Sequence, residues 1–342
     1  MIKMSSFLWD LANAANLATE DSPNVIFYGA PGTGKTYSVT KQIKLATMNK
    51  EKLFEKVQFH PSFTYEDFID GLKPIGISDN GNMKFEFVNG VFKNFCIEAK
   101  NQPNEKFYFV VDEINRANLS VVLGETFSLL EANYRDDPTA TGNDRSLIKT
   151  QNCEILQSLI ADAAKKGNEE LATRYKSLAY DYDDNTGKVR FGIPQNIYFV
   201  GMMNDVDKSI DTFDLALRRR FKWIQMGCNY DVISEYYAEK DSNNSNTIND
   251  YSKSCKELNE FIKTELGLGS SYEFGHAFFM KMDEQIISKG NKKQLFENHL
   301  KPTLREYLRG FFDETEIDKK LEEAGKRFGV IDKKAKETED EN

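Results

Sequence analysis

Residues 29–36 read Gly29-Ala30-Pro31-Gly32-Thr33-Gly34-Lys35-Thr36, and this stretch decides the fold. It matches the spacing G-x-x-x-x-G-K-[ST] at every position, the pattern of a phosphate-binding loop. The flanks agree with that reading. Val25-Ile26-Phe27-Tyr28 is a short apolar run that stops at Gly29, as a buried parallel strand does. Gly29, Gly32 and Gly34 let the backbone turn tightly, so that its N–H groups face an anion. Lys35 opens a helical stretch whose N-terminal dipole favours phosphate. Gly29, Pro31, Gly32, Thr33, Gly34, Lys35 and Thr36 are the candidate nucleotide-binding residues, and the Thr36 hydroxyl is a candidate Mg²⁺ ligand.

Outward from this loop, residues 24–225 alternate apolar strands with helical stretches, which predicts a parallel sheet covered by helices. Strands are expected near 25–28, 56–59, 107–111, 197–203 and 222–226, with Met83 to Val88 as a further strand meeting an Asn89-Gly90 turn. Helices are expected at 35–48, 65–71, 91–100 and 118–133. Residues 135–190 interrupt the alternation and read as an insertion. Within it, Leu147 to Tyr180 forms one or two helices broken at 165–167, and Asp181 to Gly187 is acidic and turn-rich. The α/β core spans 24–229. From 230 to 330 the pattern is helical, with a polar loop at Asp241 to Asn249. Residues 1–23 read as an amphipathic helix packed on the core, and 331–342 as a charged, disordered tail.

Composition excludes several classes. The 342 residues carry a net charge of −9, which argues against a chain whose main work is gripping nucleic acid over a broad basic face. Cys96, Cys153, Cys228 and Cys255 have no metal-ligand spacing and read as reduced thiols of a cytoplasmic protein. No run of 18 apolar residues exists, so no membrane span is expected.

Two further strands carry acids and amides to their C-terminal ends, where ligands bind in open α/β sheets. Phe107 to Val111 ends in Asp112-Glu113. Asp112 is the candidate Mg²⁺ carboxylate opposite Thr36, and Glu113 the candidate general base that polarises the attacking water. Ile197 to Met203 ends in Asn204, which can orient that water, with Asp207 in the same loop. Arg218-Arg219-Arg220 precede the last strand and suggest arginine fingers aimed at a neighbouring subunit's nucleotide.

In this order, the phosphate loop, Asp112-Glu113, Asn204 and the arginine cluster resemble the AAA+ ring NTPases. The resemblance narrows to the McrB family. Phe59-His60-Pro61-Ser62-Phe63-Thr64-Tyr65-Glu66-Asp67-Phe68 is similar to a family segment, as is Asp112 to Asn118. Met203-Asn204-Asp205-Val206-Asp207-Lys208-Ser209 is similar to the signature M-N-x-x-D-R-S, with Lys208 in place of the arginine. Phe274-Gly275-His276-Ala277-Phe278-Phe279 and Leu300 to Tyr307 resemble motifs of its helical lid. The matches run from about 24 to 310.

This resemblance implies an AAA+ core with a helical lid, GTP or ATP as substrate with Mg²⁺, a homo-hexameric ring, and an McrC-like nuclease partner in DNA restriction and phage defence. DNA is met indirectly or through the ring pore. By motif, Asn204 is the first sensor and Asp207 helps place the lytic water. Asp214 and Arg219 act on the neighbour's nucleotide, with Arg220 as second candidate. Met1 stands only 28 positions before Gly29, so the family's DNA-reading N-terminal domain is expected to be missing. Target recognition then falls to another chain, to the 135–190 insertion, or to residues beyond this sequence. Two other tasks fit the same motifs: a MoxR-like ATPase that remodels proteins, and a slow nucleotide-gated scaffold. His60 and His276 are expected to complete buried hydrogen-bond networks or subunit contacts.

Overall fold

The computed structural model describes residues 18–77, 80–206, 215–240, 244–282 and 287–331. Five strands form an all-parallel sheet in the order β2-β5-β8-β1-β9. They are β1 (Asn24–Tyr28), β2 (Phe54–Gln58), β5 (Phe107–Asp112), β8 (Ile197–Met202) and β9 (Lys222–Gln225). The three central strands are apolar on both faces because helices cover both. Pleat alternation sorts their side chains. Ile26, Phe109, Val111 and Phe199 face one core with Phe92 and Phe95 of the helix Val91–Lys100. Val25, Phe27, Val110 and Val200 face the other, against Val39 and Ile43 of helix α1 (Lys35–Ala46). β2 and β9 are the sheet edges and are correspondingly more exposed.

Several elements differ from expectation. The helix at 65–71 ends at Phe68, and the chain turns into β3 (Asp70–Ile77), which the sequence reading missed. β3 pairs antiparallel with β4 (Met83–Asn89). The pair closes tightly at its end: Gly90 lies so near Phe68 and Ile69 that a Cβ on it would sit 2.3 Å from the Phe68 carbonyl carbon. The stretch 118–133 is α-helical only over Leu119–Leu123 and tightens to 3₁₀ over Gly124–Leu130. Gly124, at φ 51°, makes the break beside the Tyr65 ring. Residues 181–190 form a hairpin of β6 (Asp181–Asp183) and β7 (Lys188–Arg190), not only turns. Residues 18–23 of the expected N-terminal helix form a turn bridged by Thr19 and Ser22. The expected polar loop at 241–249 is already helix from Ser245. Residues 1–17 and 332–342 lie outside the described residues.

Beyond Tyr230 every described element is helical, around a core that includes Tyr237, Tyr251, Leu258, Phe274 and Phe328. At its centre the buried Asn259 donates to the Phe274 carbonyl (2.9 Å) and accepts from the Phe274 N–H (2.8 Å). This pairing fixes the next residues, Gly275 to Phe278, against the sheet's ligand edge.

Candidate functional site

The phosphate loop leaves β1 with Gly29 at φ 138° and passes Gly32 (76°) and Gly34 (72°), conformations that side-chain-bearing residues rarely adopt. Lys35 is buried, and its ammonium donates to the carbonyls of Gly29 (3.1 Å) and Ala30 (2.8 Å) and to Thr33 Oγ1 (3.3 Å). Thr36 Oγ1 lies 3.3 and 3.4 Å from the two carboxylate oxygens of Asp112. Sheet order makes this meeting possible, since β1 and β5 are separated only by β8.

Glu113 follows in a left-handed conformation (φ 51°, ψ 44°), uncommon for a residue with a Cβ and held here by its neighbours. Its N–H donates to Asp112 Oδ1 (3.2 Å). Its carboxylate accepts from Arg116 Nε (3.2 Å) and, more loosely, from Asn204 Nδ2 (3.5 Å). The three strand ends thus bring the phosphate loop, Thr36, Asp112, Glu113 and Asn204 into one crevice. Asp207, Lys208 and Asp214 lie outside the described residues.

The hydroxyl and carboxylate oxygens of Thr36 and Asp112 are hard donors that suit Mg²⁺, an ion that takes few protein ligands and completes its shell with phosphate and water. No cluster of three or more His, Cys, Asp or Glu able to hold a metal occurs among the described residues.

The arginines lie elsewhere. Asn24 Nδ2 donates to the Arg220 carbonyl (3.0 Å), so the cluster sits at the start of β1, whereas the phosphate loop leaves its end. Five residues of strand separate them, roughly 15 Å. Arg219 and Arg220 line a cleft of about 510 Å³ with Asn24, Glu131 and Asn133, away from the loop of their own chain. Their side chains differ. Arg220 is only 9% exposed, pairs with Glu131 (2.8 Å), donates to the Ala216 carbonyl (2.7 Å) and lies 3.9 Å from the centre of the Phe127 ring. Arg219 is 68% exposed, with one long contact to Glu131 (3.4 Å).

The sequence reading missed the degree to which the helical lobe touches the loop. Gly275 N–H donates to the Pro31 carbonyl (3.1 Å) and Ala277 N–H to that of Gly32 (3.0 Å). A Cβ on Gly275 would fall 2.0 Å from the Gly32 carbonyl carbon. His276 packs beside Gly34 and accepts at Nδ1 from the Asn229 N–H (3.4 Å), which leaves the proton on Nε2. Burial, and then the Lys35 charge, push its pKa down to about 4, so the imidazole is neutral near pH 7. Asp205 carries a raised pKa, chiefly from burial, and accepts from Ser271 Oγ (2.9 Å), a second tie between the lobes. Also missed were Arg116, on Glu113, and Lys56, on Asp112. A charged residue at either place carries no local signal.

Comparison with known proteins adds a lineage. The family profile of the AAA domain (dynein-related subfamily) matches residues 24–221, and that of the McrB alpha-helical lid domain matches 250–318. The chain is 32% identical over 297 residues to the Type IV methyl-directed restriction enzyme EcoKMcrB subunit of Escherichia coli (strain K12), covering 85% of this chain and 54% of that protein. It is 27% identical over 223 residues to the Type II restriction enzyme BsuMI component YdiS of Bacillus subtilis (strain 168), covering 58% and 56%. The chain therefore spans about half the length of these curated relatives. A solved structure of a putative ATPase from Cytophaga hutchinsonii aligns over 84% of this chain and 76% of its own at 14% identity, with a TM-score of 0.33.

Proposed function

The chain belongs to the McrB family of AAA+ NTPases, and on that premise we propose that it hydrolyses GTP, or ATP, to drive or license a partner nuclease in DNA restriction. One observation carries the hydrolytic part: Lys35, Thr36, Asp112, Glu113 and Asn204, at or just beyond the ends of three separate strands, converge on one crevice. Thr36 and Asp112 would hold Mg²⁺, which would neutralise charge on the phosphate oxygens when bound. The N–H groups of Gly32 to Thr36 and the Lys35 ammonium cradle the phosphates. Glu113 takes the proton of the attacking water, while Asn204 orients that water and helps hold the carboxylate in place.

Arg219 supports a ring. It is exposed and lies at the far end of β1 from its own loop, so it serves catalysis only by reaching another subunit's nucleotide. We assign it as the finger; on motif alone, Asp214 is read as acting with it on the neighbour's nucleotide and Asp207 as helping to place the lytic water. A hexameric ring, an McrC-like nuclease partner and contact with DNA at the ring pore or through that partner belong to this proposal; the names of the two relatives support a restriction-system setting. Residues 24–229 are read as the motor core with its insertion at 135–190, and 230–330 as the lid. The four cysteines are free, and Cys96, Cys153 and Cys255 are buried. Among the described residues no helix is long and apolar enough to cross a membrane.

The test is phosphate release from GTP and from ATP, with and without the nuclease subunit. Glu113→Gln is expected to retain nucleotide binding and lose nearly all turnover, because it removes the base and spares the cradle. Turnover at the wild-type rate would refute the assignment.

A further inference from the structure

Lys56 lies on the edge strand β2, two positions before its end. An edge-strand lysine commonly serves to keep other strands from pairing there. This one does more than face solvent. Lys56 is the register partner of Val110, and pleat alternation puts it on the same sheet face as Asp112 two residues further along β5. Its ammonium reaches across and lies 3.0 Å from Asp112 Oδ2, with the lysine side chain 32% exposed and the aspartate 19%. The same carboxylate accepts from Thr36 on its other side. Asp112 is thus shared between the residue that meets the metal and a fixed positive charge that no motif includes.

We propose that Lys56 is a positioning residue that sets the strength of the Mg²⁺ site: it holds the Asp112 carboxylate in place and offsets its charge. The inference rests on the reading of this crevice as an Mg²⁺-nucleotide site. Sheet order places β2 beyond β5 from the phosphate loop, so Lys56 stands behind Asp112 and acts on the metal only through it. The carboxylate alone attracts the ion; a carboxylate already paired with an ammonium attracts it less. Binding of the metal then depends more heavily on the phosphates that arrive with the nucleotide.

Two consequences distinguish this role from others. If Lys56 touched phosphate, its removal would weaken nucleotide binding with or without metal. If it served only the strand edge, its removal would change stability and leave the metal midpoint alone. A charge acting through Asp112 changes the metal dependence and spares metal-free nucleotide affinity.

The experiment titrates Mn²⁺, followed by its paramagnetic resonance signal, into full-length protein saturated with a non-hydrolysable GTP analogue. Nucleotide affinity in EDTA is measured separately with a fluorescent GDP. Lys56→Met keeps the length of the side chain and removes the charge. Its metal midpoint is expected to fall about tenfold, the scale for removing one unit charge near a divalent ion in a partly solvated site. Lys56→Arg should remain within about twofold of wild type, because it keeps the charge. Nucleotide affinity in EDTA should be the same in all three proteins. An unchanged or higher midpoint for Lys56→Met, or weaker GDP binding in EDTA, would overturn the proposal; so would a shift of equal size in Lys56→Arg. If wild-type protein binds neither nucleotide nor Mn²⁺, the underlying Mg²⁺-nucleotide reading fails instead, which separates the two outcomes.

Discussion

Replacing the adjacent arginines one at a time is expected to split two roles that the sequence leaves superimposed. Arg220→Ala removes an ion pair to Glu131 at 2.8 Å, a hydrogen bond to the Ala216 carbonyl and a cation–π contact with Phe127, all made by a side chain 9% exposed. Breaking a fully buried pair costs about 3–5 kcal/mol. Glu131 is 32% exposed and has Arg219 within reach, so water and that arginine recover part of the loss. A cost of about 2–3 kcal/mol remains, or a Tm lowered by roughly 5–10 °C for a domain of this size. Arg219→Ala removes a side chain 68% exposed, a change that normally stays within about 0.5 kcal/mol. Its effect should appear in turnover, with a loss of about 10³-fold or more at unchanged nucleotide affinity. The assay pairs thermal melts with phosphate release in rings mixed from Arg219→Ala and Glu113→Gln subunits. Each is inactive alone, and interfaces that join an intact Glu113 to an intact Arg219 should restore part of the activity. No recovery despite demonstrated co-assembly would refute the reaching role. So would a stable, inactive Arg220→Ala beside a normally active Arg219→Ala, which would exchange the two assignments.

Gly275→Ala forces a methyl group onto the Gly32 backbone, so fluorescent-nucleotide affinity should fall at least tenfold while the circular dichroism spectrum stays native; unchanged affinity would show that the contact yields freely. His276 has a folded pKa of about 4 against about 6.5 unfolded, so the unfolded chain takes up the proton first and stability falls with pH from about 6.5 toward 4. Urea unfolding at pH 7 and pH 5 should differ by about 2 kcal/mol more in wild type than in His276→Gln; equal differences would mean the imidazole is not held neutral by the fold. GTP is expected to outcompete ATP in a direct titration, and equal or tighter ATP binding would remove that preference without touching the fold.

The nucleotide loop was legible because its chemistry is local: eight consecutive residues hold the glycines, the lysine and the hydroxyl that a phosphate needs. Asp112-Glu113 and Asn204 were legible for a related reason, since a strand buried on both faces must be continuously apolar and a polar residue at its end stands out. Strand β3 was not. Its run Asp70 to Ile77 holds Pro74 and Gly76, residues that weaken a strand pattern, and it becomes a strand by pairing with Met83–Asn89. Asp207 and Asp214, outside the described residues, stand on motif alone.

By itself, then, the sequence determined the kind of sheet, the candidate phosphate loop and the acids that lie beside it, because each is written in a few neighbouring residues. The tertiary structure decided which arginine is buried and which is exposed, put Lys56 on Asp112, and seated Gly275 on Gly32. Those pairs are far apart in the chain and meet only through strand order and lobe packing. A side chain's chemistry is fixed by its own residue, but its neighbours, and with them its charge environment and its freedom to reach, are set by the fold.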